Sequence, residues 1–124
     1  MKQILIIDDE KPTLAMFRLL LGAYGYDVLT AENGQKGIDI FKEERPSTVF
    51  TDIKMPGMDG LAVLKALKAI DPAIQVIVIT GHGDEALAQQ ALDLAATTLL
   101  HKPIQREALD EALSLAADQL ASTE

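Results

Sequence analysis

The sequence contains no cysteine and no tryptophan, and only 4% of its residues are aromatic. Without cysteine the chain can form neither a disulfide framework nor a thiolate metal site, and a reducing compartment is the simpler expectation. Long hydrophobic runs are also missing, because the run Ile4–Ile7 stops at Asp8 and nowhere are there about 18 consecutive apolar residues. We therefore expect a soluble, cytoplasmic protein without a membrane partner.

Positive charge is scarce as well. Eleven lysines and arginines stand against nineteen acidic residues, which gives a formal net charge of −8 and an isoelectric point near 4.6. A surface of this sign repels nucleic-acid backbones and anionic lipid headgroups. The composition argues against direct binding to nucleic acid.

What the sequence does contain is an alternation of strand-length and helix-length segments. With 124 residues, 48% of them apolar, it fits one globular domain, and the last helical segment ends about where the chain does, so we expect a single domain over residues 1–124. Parallel strands need long crossovers that place helices on both sheet faces. We predict an α/β fold: a doubly wound, five-stranded parallel sheet of order 2-1-3-4-5, flavodoxin-like. The five predicted strands are Ile4–Ile7, Asp27–Ala31, Thr48–Thr51, Ile74–Thr80 and Thr97–His101.

The predicted helices show apolar residues at helical spacing and recognisable ends. The first has an apolar face of Leu14, Phe17, Leu21 and Tyr24. Helix boundaries are predicted from Pro12 and Gly25 for the first helix, Pro46 for the end of the second, Asp59 and Asp71 for the third, Asp84 and Leu94 for the fourth, and Pro103 before the fifth.

Polar residues stand at the carboxyl ends of four predicted strands. Asp8 and Asp9 end the first strand, Asp52 the third, Thr80 the fourth and Lys102 the fifth. In such a sheet these ends share one edge, where ligands bind. Carboxylates about 4 Å apart repel by roughly 4 kcal/mol per pair, so they persist only with protons, water or a cation between them, and a hard divalent cation is the simplest of these. Oxygen ligands favour Mg²⁺ or Mn²⁺, and Mg²⁺ commonly shares its coordination sphere with a phosphoryl oxygen.

Each of these residues also has an ordinary structural interpretation. A single aspartate after a strand is most often a helix cap, a threonine ending a strand is common, and a lysine before proline is usually a solvated surface residue. The coincidence of suitable groups at four strand ends favours phosphoryl chemistry over these separate explanations.

At these residues the whole chain resembles the receiver domain of two-component response regulators. The resemblance rests on four stretches: Ile6-Ile7-Asp8-Asp9-Glu10, Asp52-Ile53-Lys54-Met55-Pro56-Gly57-Met58-Asp59-Gly60, Ile79-Thr80-Gly81-His82 and His101-Lys102-Pro103. It implies that Asp52 accepts a phosphoryl group from a phosphohistidine of a sensor histidine kinase or phosphotransfer protein. The protein would then act as a signalling phosphoacceptor, not as an enzyme, through an unidentified downstream protein.

The resemblance also implies roles for the residues around Asp52. Mg²⁺ is held by Asp9, Asp52 and the backbone carbonyl of Lys54, with Asp8 acting through a bound water. Thr80 hydrogen-bonds a phosphoryl oxygen and Lys102 pairs with another. The loop residues Pro56, Gly57 and Gly60 shape a tight turn near the metal, and the Lys102–Pro103 bond is expected to be cis.

Several positions depart from the family pattern. Leu99 stands where the family usually has a switching aromatic residue, Ala95-Ala96 replaces a common Gly-Ala pair, and Thr98 replaces an acidic residue. Leu99 can rearrange on phosphorylation or simply pack. Lys54 and His82 flank the path of the hydrolytic water, and neither is a carboxylate or amide that orients it, which predicts slow self-dephosphorylation. Lys54 either shields the phosphoryl group or points into solvent.

Other classes fit less well. A haloacid-dehalogenase-type phosphatase needs a second aspartate two residues after the nucleophile, where this chain has Lys54. A flavodoxin-like FMN binder needs a phosphate-cradling loop after the first strand, where Asp8 and Asp9 would repel phosphate. A phosphorylation-independent interaction module of the same fold stays the alternative, because fold alone does not fix function.

Overall fold

The computed structural model describes residues 2–123 and contains one five-stranded parallel sheet in the order β2-β1-β3-β4-β5. This confirms the predicted fold class and strand order. The strands are β1 (Gln3–Ile7), β2 (Asp27–Ala31), β3 (Thr48–Asp52), β4 (Gln75–Thr80) and β5 (Thr98–His101). The helices are α1 (Lys11–Ala23), α2 (Gly34–Glu44), α3 (Gly60–Ile70), α4 (Glu85–Asp93) and α5 (Arg106–Thr123).

The strand register brings the carboxyl ends of the central strands to one edge. Ile7, the last residue of β1, pairs with Thr51 of β3, so Asp8 and Asp52 follow at the same level. Asp52 pairs with Ile79, and Thr80 pairs with His101. The loops after β1, β3, β4 and β5 therefore meet along this edge, which we call the carboxyl edge.

Both faces of the sheet are buried. Alternate residues of each central strand pack into two separate cores, one beneath α2, α3 and α4 and the other beneath α1 and α5. In β4, Val76 and Val78 belong to the first core, whereas Ile77 and Ile79 belong to the second. A strand buried on both faces has no solvent side, which explains its almost continuous apolar sequence.

Most helix ends follow the predicted signals. Pro12 lies in the first turn of α1, and the Asp59 side chain caps α3 by accepting a hydrogen bond from the Ala62 N–H at 2.9 Å. The second helix ends at Glu44, before Pro46, because Arg45 adopts a left-handed conformation with φ of 51°. Within residues 2–123 no helix combines the length and apolar character needed to cross a membrane.

Two details of the sequence interpretation were wrong. Tyr24 is not part of the apolar helix face: α1 ends at Ala23, and the exposed Tyr24 hydroxyl donates a 2.8 Å hydrogen bond to Asp110 Oδ1 on α5. A tyrosine at a helix end can place its ring against the protein and its hydroxyl in water, which periodicity alone does not reveal. Some strand ends also differ, since β4 begins one residue later than predicted, at Gln75.

Candidate functional site

Four carboxylates meet at the carboxyl edge. One oxygen from each of Asp8, Asp9, Glu10 and Asp52 lies within 4.8 Å of the others. Asp8 and Asp52 are buried, whereas Asp9 and Glu10 are exposed. The structure thus brings the three predicted aspartates together and adds Glu10, which the sequence analysis placed in the motif without giving it a role.

Asp8 is the most enclosed of the four. Its Oδ1 accepts a hydrogen bond from the Glu10 N–H at 2.8 Å, and within the described part of the chain its buried Oδ2 has no hydrogen-bond partner. Burial raises the pKa of Asp8 to about 6; the Glu10 N–H opposes this shift, and the neighbouring Asp52 charge adds to it. A buried carboxylate oxygen without a donor is the kind of atom that a cation satisfies.

Asp52 faces the ammonium group of Lys102. Lys102 Nζ lies 3.3 Å from Asp52 Oδ2 and 3.8 Å from Glu10 Oε1. Burial raises the pKa of Asp52 above its usual value, and Lys102 opposes that shift. Burial works against the charge of Lys102, but the carboxylates of Asp52 and Asp8 outweigh it and raise the pKa of the ammonium. Lys102 therefore stays charged beside the carboxylate.

Two glycines shape the loop that connects β3 to α3. Gly57, which follows Pro56, has a φ of 77°, a left-handed conformation that favours glycine. Gly60 serves a different purpose from the predicted tight turn: a Cβ there would lie 2.4 Å from the Asp52 carbonyl oxygen. Its N–H donates a 2.9 Å hydrogen bond to the Ile53 carbonyl. Only glycine lets the start of α3 approach the backbone of Asp52 this closely.

Side-chain contacts connect the end of β4 and the loop after it to the loop after β3 and to β5. Asp84 Oδ2 accepts a hydrogen bond from the Gly81 N–H at 2.7 Å, and this bond lowers the pKa of Asp84. Across the edge, Lys54 Nζ lies 3.2 Å from Asp84 Oδ1, although about two-thirds of the Lys54 side chain is exposed. The Thr80 hydroxyl lies 2.8 Å from His101 Nδ1. Lys54 therefore has a partner and does not simply point into solvent, whereas His82 is exposed.

The positions that depart from the family pattern have ordered places. Leu99 is partly buried and packs against the core beneath α4. Ala95 adopts a φ of 69°, a left-handed conformation that explains why glycine is common at this position. The Lys102–Pro103 peptide bond is cis, as predicted.

The sequence analysis gave no functional role to three residues of this site: Glu10, Asp84 and His101. Glu10 carried a signal, because it continues the acidic run of Asp8 and Asp9. Asp84 was predicted only as a helix boundary, and nothing in the sequence indicated that its side chain meets Lys54. The contact of His101 with Thr80 follows from the pairing of β4 with β5, which sequence spacing alone does not specify.

Comparison with known proteins decides the family. The family model described as "Response regulator receiver domain" matches residues 4–114. The chain belongs to the response regulator receiver family. Among curated relatives of this receiver domain, sporulation initiation phosphotransferase F of Bacillus subtilis (strain 168) is 36% identical over 112 residues, covering 90% of each chain.

The structure agrees with this assignment. A crystal structure of a response regulator receiver domain protein from Clostridium thermocellum superimposes with a TM-score of 0.96 at 36% identity, over the full length of both chains. The transcriptional regulatory protein GlrR of Escherichia coli (strain K12) is 32% identical over 118 residues, which cover 95% of this receiver domain but 27% of that relative. Receiver domains thus occur both in relatives of this length and in much longer regulators.

Proposed function

We propose that Asp52 is the phosphoacceptor of this receiver domain and takes a phosphoryl group from the phosphohistidine of a sensor histidine kinase or phosphotransfer protein. The observation that carries the proposal is the pairing of Asp52 Oδ2 with Lys102 Nζ at 3.3 Å, at the edge where Asp8, Asp9 and Glu10 also meet. Among these carboxylates Asp52 is the one at the end of the central strand β3.

In the proposed reaction a carboxylate oxygen of Asp52 forms a bond to phosphorus as the phosphorus–nitrogen bond of the phosphohistidine breaks. The bonding electron pair leaves with the imidazole nitrogen, and the product is an acyl phosphate on Asp52. Phosphoryl transfer passes through a loose transition state, so alignment and charge neutralisation matter more than a strong nucleophile. Lys102 already lies against Asp52 and is placed to pair with a phosphoryl oxygen.

The acidic residues suit a hard divalent cation. In this proposal Asp9, Asp52 and the backbone carbonyl of Lys54 bind Mg²⁺ or Mn²⁺, and Asp8 orients a metal-bound water. Two observations support this choice: Asp8 Oδ2 is buried without a hydrogen-bond partner among residues 2–123, and the clustered groups offer only oxygen ligands. When bound, the ion offsets the repulsion between the carboxylates and the incoming phosphoryl oxygens.

The surrounding residues complete the proposed site. Thr80 donates a hydrogen bond to a phosphoryl oxygen, and Leu99 takes the place of the usual aromatic residue on β5. Gly57 and Gly60, with Pro56, hold the loop after β3 against the site, and Pro103 follows Lys102 in the loop after β5. Lys54 and His82 flank the path of the hydrolytic water.

We further propose that the phosphorylated domain transmits its signal by binding another protein. The phosphorylated surface binds a downstream protein, and the net charge of −8 disfavours nucleic acid and anionic membranes as direct partners. The domain assists its own phosphorylation and dephosphorylation but has no separate substrate. A single domain over residues 1–124 stays a prediction.

Intact-mass analysis after incubation with acetyl phosphate and Mg²⁺ tests this function. We expect one added phosphoryl group on the parent protein and none on Asp52→Asn. The matched control is Asp93→Asn, which changes an exposed aspartate of α4 in the same way and should label like the parent. Equal labelling of Asp52→Asn would move the phosphoacceptor elsewhere, and a parent protein that no phosphodonor labels would favour a phosphorylation-independent module.

A further inference from the structure

The Thr80 hydroxyl already has a partner before any phosphoryl group arrives. Thr80 Oγ1 lies 2.8 Å from Nδ1 of His101, and the imidazole tautomer decides which of the two donates. The backbones of these strands are locked together at the same point, because the Lys102 N–H donates a 2.8 Å hydrogen bond to the Thr80 carbonyl. The sheet therefore fixes the backbones of Thr80 and His101 next to each other, which leaves only their side chains free to change position.

This hydrogen bond directs the Thr80 hydroxyl toward β5. In the sheet β4 lies between β3 and β5, so His101 and Asp52 stand on opposite sides of Thr80. The Thr80 side chain occupies one staggered position at a time, and the position that faces His101 on β5 does not face Asp52 on β3. To bond a phosphoryl oxygen on Asp52, the Thr80 side chain must turn away from β5 and leave His101.

His101 also lies where a moving ring can be accommodated. Successive residues of a strand point to opposite faces, so His101 shares the face of β5 with Leu99, one step nearer the carboxyl edge. The residue borders an open cleft of about 240 Å³ that Gly81 and Ala88 also line. The strand thus carries an aromatic ring two residues beyond Leu99, in direct contact with Thr80.

We propose that His101 is a positioning residue for Thr80: it holds the hydroxyl on the β5 side in the unphosphorylated protein and loses that hydrogen bond when Asp52 is phosphorylated. The freed imidazole then takes a new position in the cleft beside Ala88, which changes the surface between α4 and β5. This inference rests on the proposed function, because it needs a phosphoryl group on Asp52. His101 would thus provide an aromatic ring that responds to phosphorylation, whereas the Leu99 side chain contains no ring.

Nuclear magnetic resonance of the imidazole nitrogens tests the proposal directly. The chain has two histidines, so the His101 signals can be assigned by comparison with His101→Asn. We expect the Nδ1 signal of His101 to shift when the parent protein is incubated with excess acetyl phosphate and Mg²⁺, and to stay in place in Asp52→Asn under the same conditions. The mass of the same samples reports whether the phosphoryl group is present.

The two readings separate the possible failures. Unchanged His101 signals in a sample that carries the phosphoryl group would overturn the role of His101 and leave the phosphoacceptor intact. A parent sample without a phosphoryl group would overturn the proposed function, and the role of His101 with it.

Two substitutions test the energetic consequence. His101→Leu removes the hydrogen bond, so Thr80 is free to turn, and acetyl phosphate should phosphorylate this variant roughly fivefold faster, the factor expected from one net neutral hydrogen bond. His101→Asn keeps a polar atom near the position of Nδ1 and should restore a rate close to that of the parent. Equal rates in all three proteins, or a His101→Leu variant that is phosphorylated more slowly than the parent, would contradict the proposal.

Discussion

Lys54 Nζ lies 3.2 Å from Asp84 Oδ1 and so joins the loop after β3 to the loop after β4. These loops follow the neighbouring strands β3 and β4 at the carboxyl edge, where Asp52 is the last residue of β3. Lys54 stays about two-thirds exposed, so the pair adds little to the stability of the fold. In the proposed site Lys54 flanks the path of the hydrolytic water, so this ion pair would keep an ammonium group where a carboxylate or amide could orient that water.

The position of Lys54 predicts a long-lived phosphoryl group. In the double variant Lys54→Asn, His82→Glu, an amide and a carboxylate replace an ammonium and an imidazole group that are less suited to orienting water for in-line attack. The phosphorylated variant should therefore decay several-fold faster than the parent. The decay is followed by intact mass after the phosphodonor is removed. Lys54→Met serves as control, since it removes the ammonium without adding an amide. If the double variant keeps its phosphoryl group as long as the parent, other residues set the lifetime.

Metal binding should depend on Asp9 more than on Asp8. Asp9→Ala removes a direct ligand and its charge, whereas Asp8→Ala removes a group that orients bound water. Loss of such a supporting group typically lowers metal affinity by about 10- to 100-fold, and loss of the direct ligand should lower it further. A Mg²⁺ titration of the unphosphorylated protein measures both. Glu43→Ala removes the same charge from an exposed position on α2 and should leave the affinity nearly unchanged. Weaker binding by Asp8→Ala than by Asp9→Ala would reverse the two roles.

The buried Asp8 predicts an unusual pH dependence of stability without metal. Its pKa of about 6 in the folded protein lies above the usual value of 3.8 for an aspartate, so the folded protein binds this proton more tightly than the unfolded chain. The contribution of Asp8 to the free energy of unfolding therefore falls as pH rises from about 4 through 6. Asp8→Asn abolishes this titration.

Denaturant unfolding in a chelating buffer checks the sign. We expect Asp8→Asn to be more stable than the parent at pH 8 and to lose most of that advantage at pH 4.5. A variant that is less stable than the parent at both pH values would show that the carboxylate is not a source of instability.

Ala95 predicts a stabilising substitution. Its left-handed φ of 69° costs an L-residue about 1–2 kcal/mol relative to glycine, partly offset by the greater chain entropy of glycine in the unfolded state. Ala95→Gly should therefore raise the free energy of unfolding by about 1 kcal/mol. Ala15→Gly, in the middle of α1, should lower it by about the same amount because glycine is the weaker helix former. Destabilisation by both substitutions would show that Ala95 is not strained.

Several features of the fold could be predicted from the sequence because they depend on residues that are close together in the chain. Apolar residues along β1, β3 and β4 predicted buried strands, and the capping aspartate Asp59 predicted the start of α3. The exact strand boundaries were less predictable: the predicted starts of β4 and β5 were each one residue too early, whereas their predicted ends were correct. The prediction for Tyr24 was wrong because helical spacing placed it on the apolar face of the first helix. In the structure its hydroxyl donates a hydrogen bond to Asp110, which is 86 residues away in the sequence.

Local sequence patterns were enough to predict the doubly wound sheet, its strand order and the groups at the carboxyl edge, because hydrophobic periodicity and the right-handedness of crossovers need no knowledge of long-range distances. The burial of Asp8, the close approach of Gly60 to the Asp52 carbonyl, and the partners of Lys54 and Thr80 became visible in the folded protein. Each of these depends on distances between segments far apart in the chain, and a shift of one residue in register turns a side chain to the opposite face of the sheet.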